Sequence, residues 1–399
     1  MRWNWQQNGW PRFEYDTVAL EELEERFRIE AARLIGATSI IADDHRQQFT
    51  IALMSEEALQ SSRIEGEVLN RDSVASSLLR QFGLASEYSD HRANDKEKGI
   101  AALMSDTYHT FDQPLSHAML HRWHPYVVAG SWRIRDVGRY RTGEMRIVSG
   151  YEGREKVHFE APPAERVPVE MEAFVQWFND TAPTGRQPLP ALARAGIAHI
   201  YFEAIHPFED GNGRIGRAIS EKALAQSLGQ PGLFALSHVI ESTRPEYYRQ
   251  LEQGQKGLKI DAWLDYFSHA ILDACIHSQK LVRFIVEKTR LYDRVRDQLN
   301  DRQEKALARM FAAGMEGFQG GLSAEKYIKM TAAPQTTATR DLQRLVELGA
   351  LTRTGRLKGT RYWLNLGEEF EGEKRKHLAE KERAAELRAR READRERGR

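Results

Sequence analysis

The chain has 399 residues, with 58 lysines and arginines against 58 aspartates and glutamates for a formal net charge of +0, and a single cysteine. That length leaves room for two or three folded units, and a balanced charge excludes a global field toward nucleic acid or acidic membrane, so any such partner must meet a local patch. Cys275 alone makes neither an internal disulfide nor a multi-thiolate metal site; no apolar run approaches the roughly 18 residues of a membrane span and residues 1–16 lack a signal-peptide layout, which together predict a cytoplasmic protein with no membrane partner.

Residues 1–16 carry Trp3, Trp5 and Trp10 with Phe13 and Tyr15, too much aromatic surface for a free tail, and are expected to dock on the body. Over 18–35, Val18, Leu20, Leu23, Phe27, Ala31 and Leu34 recur at helical spacing, with acids early and Arg33 late. A second helix is predicted over 45–67, and helical patterns continue to about 128. Over 131–168 short alternating runs flank Tyr151-Glu-Gly-Arg154 and predict a β-hairpin at 143–159. Helices resume over 169–179 and 190–205, the second with Pro190 in its first turn. A long helix over 263–285 passes into a charged connector reaching 300. Residues 301–366 read helix, helix, helix and a short hairpin around 355–359. The tail 367–399 is nearly all charged, which predicts a solitary solvated helix or a disordered segment.

The residues that carry chemistry lie at 206–217, His-Pro-Phe-Glu-Asp-Gly-Asn-Gly-Arg-Ile-Gly-Arg. Pro207 discourages helical geometry at His206, so the preceding helix stops there and leaves the imidazole at its end. Gly211 and Gly213 let the backbone turn and approach a ligand with no Cβ in the way. A helical pattern from Arg214 to Leu228 puts the amides of residues 211–214 at a helix N-terminus, an anion cradle, with Arg214 and Arg217 on one side of that helix. Asp210 is a hard oxygen ligand suited to Mg²⁺, Asn212 adds an amide contact, and His206 is a general base for an incoming hydroxyl. Phe208 anchors the loop in the core.

This segment resembles the Fic-family motif His-x-Phe-x-(Asp or Glu)-Gly-Asn-Gly-Arg-x-x-Arg at each of its fixed positions. The resemblance implies a mainly α fold, in which a Fic helical core with a β-hairpin flap follows an N-terminal helical region and precedes a C-terminal winged helix-turn-helix. It implies that His206 is the base and Asp210 holds Mg²⁺. The stretch from Gly211 through Asn212 to Gly213 holds the α-phosphate of ATP, while Arg214 and Arg217 bind the outer phosphates. The implied reaction puts AMP on a hydroxyl of a target protein, or of the chain itself, and releases pyrophosphate. Relatives that move another group usually depart from the Gly-Asn-Gly-Arg stretch; this chain keeps it.

Ser61-Ser-Arg-Ile-Glu65-Gly66 resembles the family's inhibitory motif (Ser or Thr)-x-x-x-Glu-(Gly or Asn). Ser61 and Glu65 share a helix face, Gly66 suits the turn that ends the helix, and the resemblance implies a salt bridge from Glu65 to Arg217 that silences the enzyme. In some relatives this Glu supports AMP removal, so a bifunctional enzyme is an open alternative. The hairpin resembles the flap that aligns a target segment by strand addition. Tyr247 and Tyr248 resemble a pair of which one stacks near adenine, with core packing an equal reading. The aromatic N-terminal segment resembles an uncharacterised domain found ahead of Fic cores. Residues 301–366 hold 11 Lys and Arg against 6 Asp and Glu, a net +5; Thr336, Thr337, Thr339 and Arg340 are expected outside, Leu342 and Leu345 inside, and Arg356, Lys358 and Arg361 on a wing. DNA and protein docking are both open for that module. The expected organisation is thus 1–95 N-terminal region, 96–285 core, 286–300 connector, 301–366 winged helix and 367–399 tail, with self-association as a homodimer a further expectation. A DNA-binding regulator whose core senses nucleotide with little turnover is the competing function.

Overall fold

The computed structural model describes residues 3–39, 43–84, 93–149, 156–231 and 234–397. It is mainly helical and divides into two compact units, Met1–Gln279 and Lys280–Arg399. The first unit opens with α1 (Thr17–Ser39), α2 (Asp43–Ile64), α3 (Arg71–Gln81), α4 (Asp95–His109) and α5 (His117–Val127). Strands β1 (Arg146–Ser149) and β2 (Lys156–Glu160) follow, then α6 (Val167–Asp180), α7 (Ala191–Ile205), α8 (Asn212–Leu228), α9 (Leu236–Ser242) and α10 (Arg244–Gly254). Helix α11 (Asp261–Val295) begins in this unit and runs without a break through position 285, where the sequence reading ended the core.

The apolar stripe of α1 turns Leu20, Leu23, Phe27, Ala31 and Leu34 inward as its spacing requires, but Val18 is exposed because it sits in the first turn, outside the contact. Glu24 of α1 accepts the backbone N–H groups of Leu192 and Ala193 at 2.8 and 3.0 Å, and so caps the start of α7. Pro190 is the residue just before that helix rather than in its first turn. Helix α7 is apolar nearly all round and buried on every side, as such a helix must be. Its Arg194 is accommodated by hydrogen bonds to the carbonyls of Phe178 and Ala223 and to Gln226, with the cation 4.2 Å above the Phe178 ring. Cys275 is fully buried, and burial pushes its thiol pKa up, as for a packed residue.

The aromatic N-terminus docks as expected. Trp3 packs edge-on against Phe159, the Trp5 indole N–H donates to the Glu160 carbonyl at 2.7 Å, and Trp10 meets Tyr201 edge-on while donating to Glu170. These contacts grip the base of the hairpin. Strands β1 and β2 are antiparallel, with Arg146 opposite Glu160 and Ser149 opposite Lys156 and a bulge between Ile147 and Val148; the expected turn at Tyr151–Arg154 lies outside the described residues.

In the second unit, α12 (Asp301–Phe311), α13 (Ala324–Thr331) and α14 (Gln335–Glu347) precede the antiparallel pair β3 (Leu351–Thr354) and β4 (Arg361–Leu364). Leu342 and Leu345 are buried, Thr336, Thr339 and Arg340 are exposed, and Thr337 is half-buried. The tail forms α15 (Gly372–Arg397). Its beginning is not solitary: His377 packs on Trp363, Lys381 donates to the Gly359 carbonyl at 3.0 Å, and Glu373 accepts from the Gly320 amide. Among the described residues, no helix is long and apolar enough to cross a membrane.

Candidate active site

Helices α7 and α8 run into one another through the loop at 206–211, and this turn gathers the predicted residues. Helix α7 stops at His206, but the residue adopts a left-handed conformation, φ 50°, rather than the extended one expected before proline. A non-glycine residue held there is strained, and such strain collects at functional sites. Arg141, which sequence reasoning missed, supplies the restraint. It is 2% exposed and donates to the carbonyls of His206 (2.8 Å), Gly143 (2.8 Å) and Pro162 (2.6 Å), while its own amide donates to the Pro207 carbonyl at 2.9 Å. One guanidinium therefore ties the histidine turn to both ends of the hairpin.

Phe208 is fully buried and stacks on His124 with ring centres 4.3 Å apart; burial pushes the His124 pKa down to about 4, which keeps that ring neutral. Glu209, another residue the sequence did not single out, accepts the amides of Arg135 and Asp136 and pins the neighbouring 131–139 segment. Gly211 adopts φ +83°, and a Cβ there would stand 2.4 Å from Val127 Cγ2, so both conformation and space require glycine. Helix α8 begins at Asn212, two residues before the predicted start. The Asn212 side chain accepts from the Phe208 amide at 3.0 Å and donates to the Phe208 carbonyl at 2.9 Å. Both its polar ends thus help to brace the loop.

Asp210 keeps its carboxylate open, 56% exposed and 3.6 Å from Arg214 Nη2, with Oδ1 accepting the Gly211 amide. It borders an open cleft that Lys96, Gly130, Trp132, Arg133 and Arg214 also line. Among the described residues no group of three or more His, Cys, Asp or Glu is placed to hold a metal ion. One open carboxylate beside an amide cradle suits Mg²⁺, which takes one or two carboxylates and completes its shell with phosphate and water.

Both motif arginines are buried, and each is held by an acid from the turn that follows α2. Arg217 donates to Ser61 Oγ (3.0 Å), the Ser61 carbonyl (2.9 Å) and Glu65 Oε1 (2.8 Å). Burial works against its charge, but Glu65 together with Tyr247 and Tyr248 outweighs it and the guanidinium pKa is raised. Gly66, at φ +82°, ends α2 and turns the chain so that Glu65 points at α8. A Cβ on Gly213 would lie 2.2 Å from Glu65 Oε1, so this carboxylate presses on the cradle itself. Arg214 is held in the same way by Glu67, two residues on, at 2.8 Å, and Glu67 also binds Lys96 at 2.7 Å. The inhibitory motif pointed to Ser61, Glu65 and Gly66 but not to Glu67, which falls just outside its pattern. The tyrosines separate: Tyr247 is buried and hydrogen-bonded to His199 at 2.7 Å, whereas Tyr248 is 41% exposed and donates to the Ile64 carbonyl at 3.2 Å.

Residues 3–84 match a domain of unknown function, DUF4172, and residues 114–224 match the Fic/DOC family. A probable protein adenylyltransferase of Aquifex aeolicus (strain VF5) is 26% identical over 161 residues, 40% of this chain and 43% of that protein. The protein adenylyltransferase fic-1 of Caenorhabditis elegans is 31% identical over 115 residues, 29% of this chain and 20% of that protein. The chain thus spans less than half the length of these relatives. A crystal structure of a Fic family protein from Desulfovibrio desulfuricans G20 has a TM-score of 0.50 at 21% identity, covering 89% of this chain and 98% of that one. A Fic domain containing signaling protein from Bacteroides thetaiotaomicron gives 0.50 at 19% identity, covering 64% and 96%. At such identities the structural likeness is one of fold.

Proposed function

This chain carries a Fic/DOC-family domain, and from that premise we propose that it transfers AMP from ATP to a hydroxyl of another protein, under inhibition by its own α2. The observation that carries the reading is the turn at 206–217, where a strained histidine, an open carboxylate, a glycine cradle and two buried arginines meet at one helix start. The target hydroxyl oxygen bonds to the α-phosphorus of ATP, the bond from that phosphorus to the bridging oxygen breaks, and pyrophosphate leaves. His206 takes the hydroxyl proton. The amides at the start of α8 receive the α-phosphate oxygens, and Arg214 and Arg217 receive the outer phosphates once released from their acids. Asp210 would hold Mg²⁺, whose charge would offset that of the phosphates.

Glu65 accounts for a silent resting state, since it occupies Arg217 and fills the space over Gly213 that a phosphate needs. The hairpin supports a target docked by strand addition: Ile147, Val148 and Val157 are each at least 40% exposed on strands whose base is gripped by the aromatic N-terminus. Tyr248 is the member of the tyrosine pair free enough to meet adenine, and Tyr247 belongs to the core. The test is transfer of label from α-labelled ATP into proteins of a lysate by the Glu65→Gly form. Transfer that vanishes in Glu65→Gly/His206→Ala supports the reading; transfer that persists without His206 removes the base from it.

A second role for residues 301–366 is favoured by their charge and their exposed face. Thr336, Thr339 and Arg340 on α14 and Arg356 and Lys358 between β3 and β4 face solvent, which supports a winged helix that contacts a duplex through phosphates. Binding of generic duplex DNA that weakens steeply with salt is the expected result, and no binding at low salt would leave protein docking as that unit's task.

A further inference from the structure

Glu203 is the sole acid of α7 and lies one turn ahead of His206. A carboxylate in an apolar, buried helix is costly unless something pairs with it. Glu203 is 4% exposed, and its Oε2 stands 3.6 Å from His206 Nδ1. His206 Nδ1 and Glu203 Oε1 are both buried and without a hydrogen-bond partner in this arrangement. The nearby His199 is already committed, through Nε2 to Tyr247 and Nδ1 toward Ser220 Oγ at 3.3 Å. Gly216, at an unconstrained position of the motif, makes the room: a Cβ there would stand 2.9 Å from Glu203 Oε1 and 3.3 Å from His199 Cε1. Burial raises the Glu203 pKa, but His206, His199 and Arg217 together outweigh it and hold the carboxyl below its ordinary range. It is ionised where it meets the histidine.

We propose that Glu203 is the positioning residue for the histidine base: its carboxylate accepts the Nδ1–H of His206, fixes the neutral ring in that tautomer and leaves the Nε2 lone pair for the target hydroxyl. This role rests on the AMP-transfer reading only for its kinetic consequence. A separation of 3.6 Å is longer than a hydrogen bond, and contacts in catalytic sites commonly tighten when substrate closes the site. When Nε2 takes the hydroxyl proton, Glu203 faces the imidazolium that results, and the proton stays on His206. Removing the acid leaves a ring free to choose the other tautomer, in which Nε2 carries hydrogen and cannot act as a base.

The test uses the full-length chain labelled with ¹⁵N-histidine, with the His206 ring signals identified by their loss in His206→Ala. The ¹⁵N shifts and long-range couplings of the ligand-free protein should show hydrogen on Nδ1; hydrogen on Nε2 would overturn the proposal. In Glu203→Leu, which replaces the acid with an apolar side chain of similar size, the signals should move to the Nε2–H pattern. In the Glu65→Gly background the same substitution should lower kcat about 10²-fold or more while KM for ATP changes by less than about threefold. A folded Glu203→Leu protein with unchanged tautomer and kcat would also overturn it. If that variant does not fold, the parent tautomer still decides. Because the tautomer is read without turnover, a chain that transfers no AMP would refute the proposed function and leave the Glu203 assignment to stand or fall by the spectrum.

Discussion

Residues 65–67 place two carboxylates on the two arginines proposed to bind phosphate, so the proposed inhibition should be divisible. Glu65→Gly removes the 2.8 Å bond to Arg217, a guanidinium that is 2% exposed, and Glu67→Ala removes the 2.8 Å bond to Arg214, which is 6% exposed. A hydrogen bond between charged groups contributes about 1.5–3 kcal/mol. The acids themselves are 28% and 23% exposed, which draws each contribution toward the lower end. At about 1.4 kcal/mol per factor of ten, each substitution should raise the population of the freed arginine roughly tenfold. Independent contacts would multiply to about a hundredfold, and their closeness makes departure from that product informative. Initial rates of label incorporation from α-labelled ATP in the two single variants and the double variant measure this. The double variant should exceed either single one. If Glu67→Ala changes neither the rate nor the KM for ATP, with or without Glu65, then Glu67 is not part of the lock.

Three other outcomes are expected. Arg141→Met should abolish transfer and lower Tm, because it strands three carbonyls at about 1–3 kcal/mol each; an unchanged melting curve would show that the histidine turn holds itself. Asn212→Ala should lower kcat more than it raises KM, because it frees Phe208 and lets the loop move, and a pure KM effect would indicate direct nucleotide contact instead. Glu57 of α2 is buried against Ser237 of α9, with Arg217 and Glu221 of α8 nearby, and burial raises its pKa above the ordinary 4.5. A folded pKa above the unfolded one contributes stability that is present in acid and lost as pH rises. Burial lifts that pKa to about 7, so Tm should fall between about pH 4.5 and pH 7 in the parent more than in Glu57→Gln, and parallel curves would contradict the assignment.

The parts legible in the sequence are those written locally. The 206–217 turn announces itself through proline, two glycines and the charges around them, and Ser61, Glu65 and Gly66 share a single helix end. The inward face of α1 and the order of helices and strands over 301–366 follow from periodicity. Arg141 was not legible because its partners lie at Gly143, Pro162 and His206, and nothing in its neighbours distinguishes it from a surface arginine. Glu203 left a faint signal, a lone acid in an apolar helix, whose meaning depends on the fold bringing Gly216 and His206 to it. The bracing role of Asn212 was not legible, because its partner is the backbone of Phe208 and a side chain in a ligand loop can also serve the loop itself. The beginning of α15 packs despite its charge, since His377 finds Trp363, a contact that composition does not encode.

The chemistry can be decided by supplying Glu65→Gly protein with ATP labelled at either the α- or the γ-phosphate and counting label on protein and in released pyrophosphate. The site described here predicts α-label on protein, γ-label only in pyrophosphate, one pyrophosphate released for each AMP bound, and neither event in Glu65→Gly/His206→Ala. Label from the γ-phosphate on protein, or release of ADP with no label bound, would contradict it.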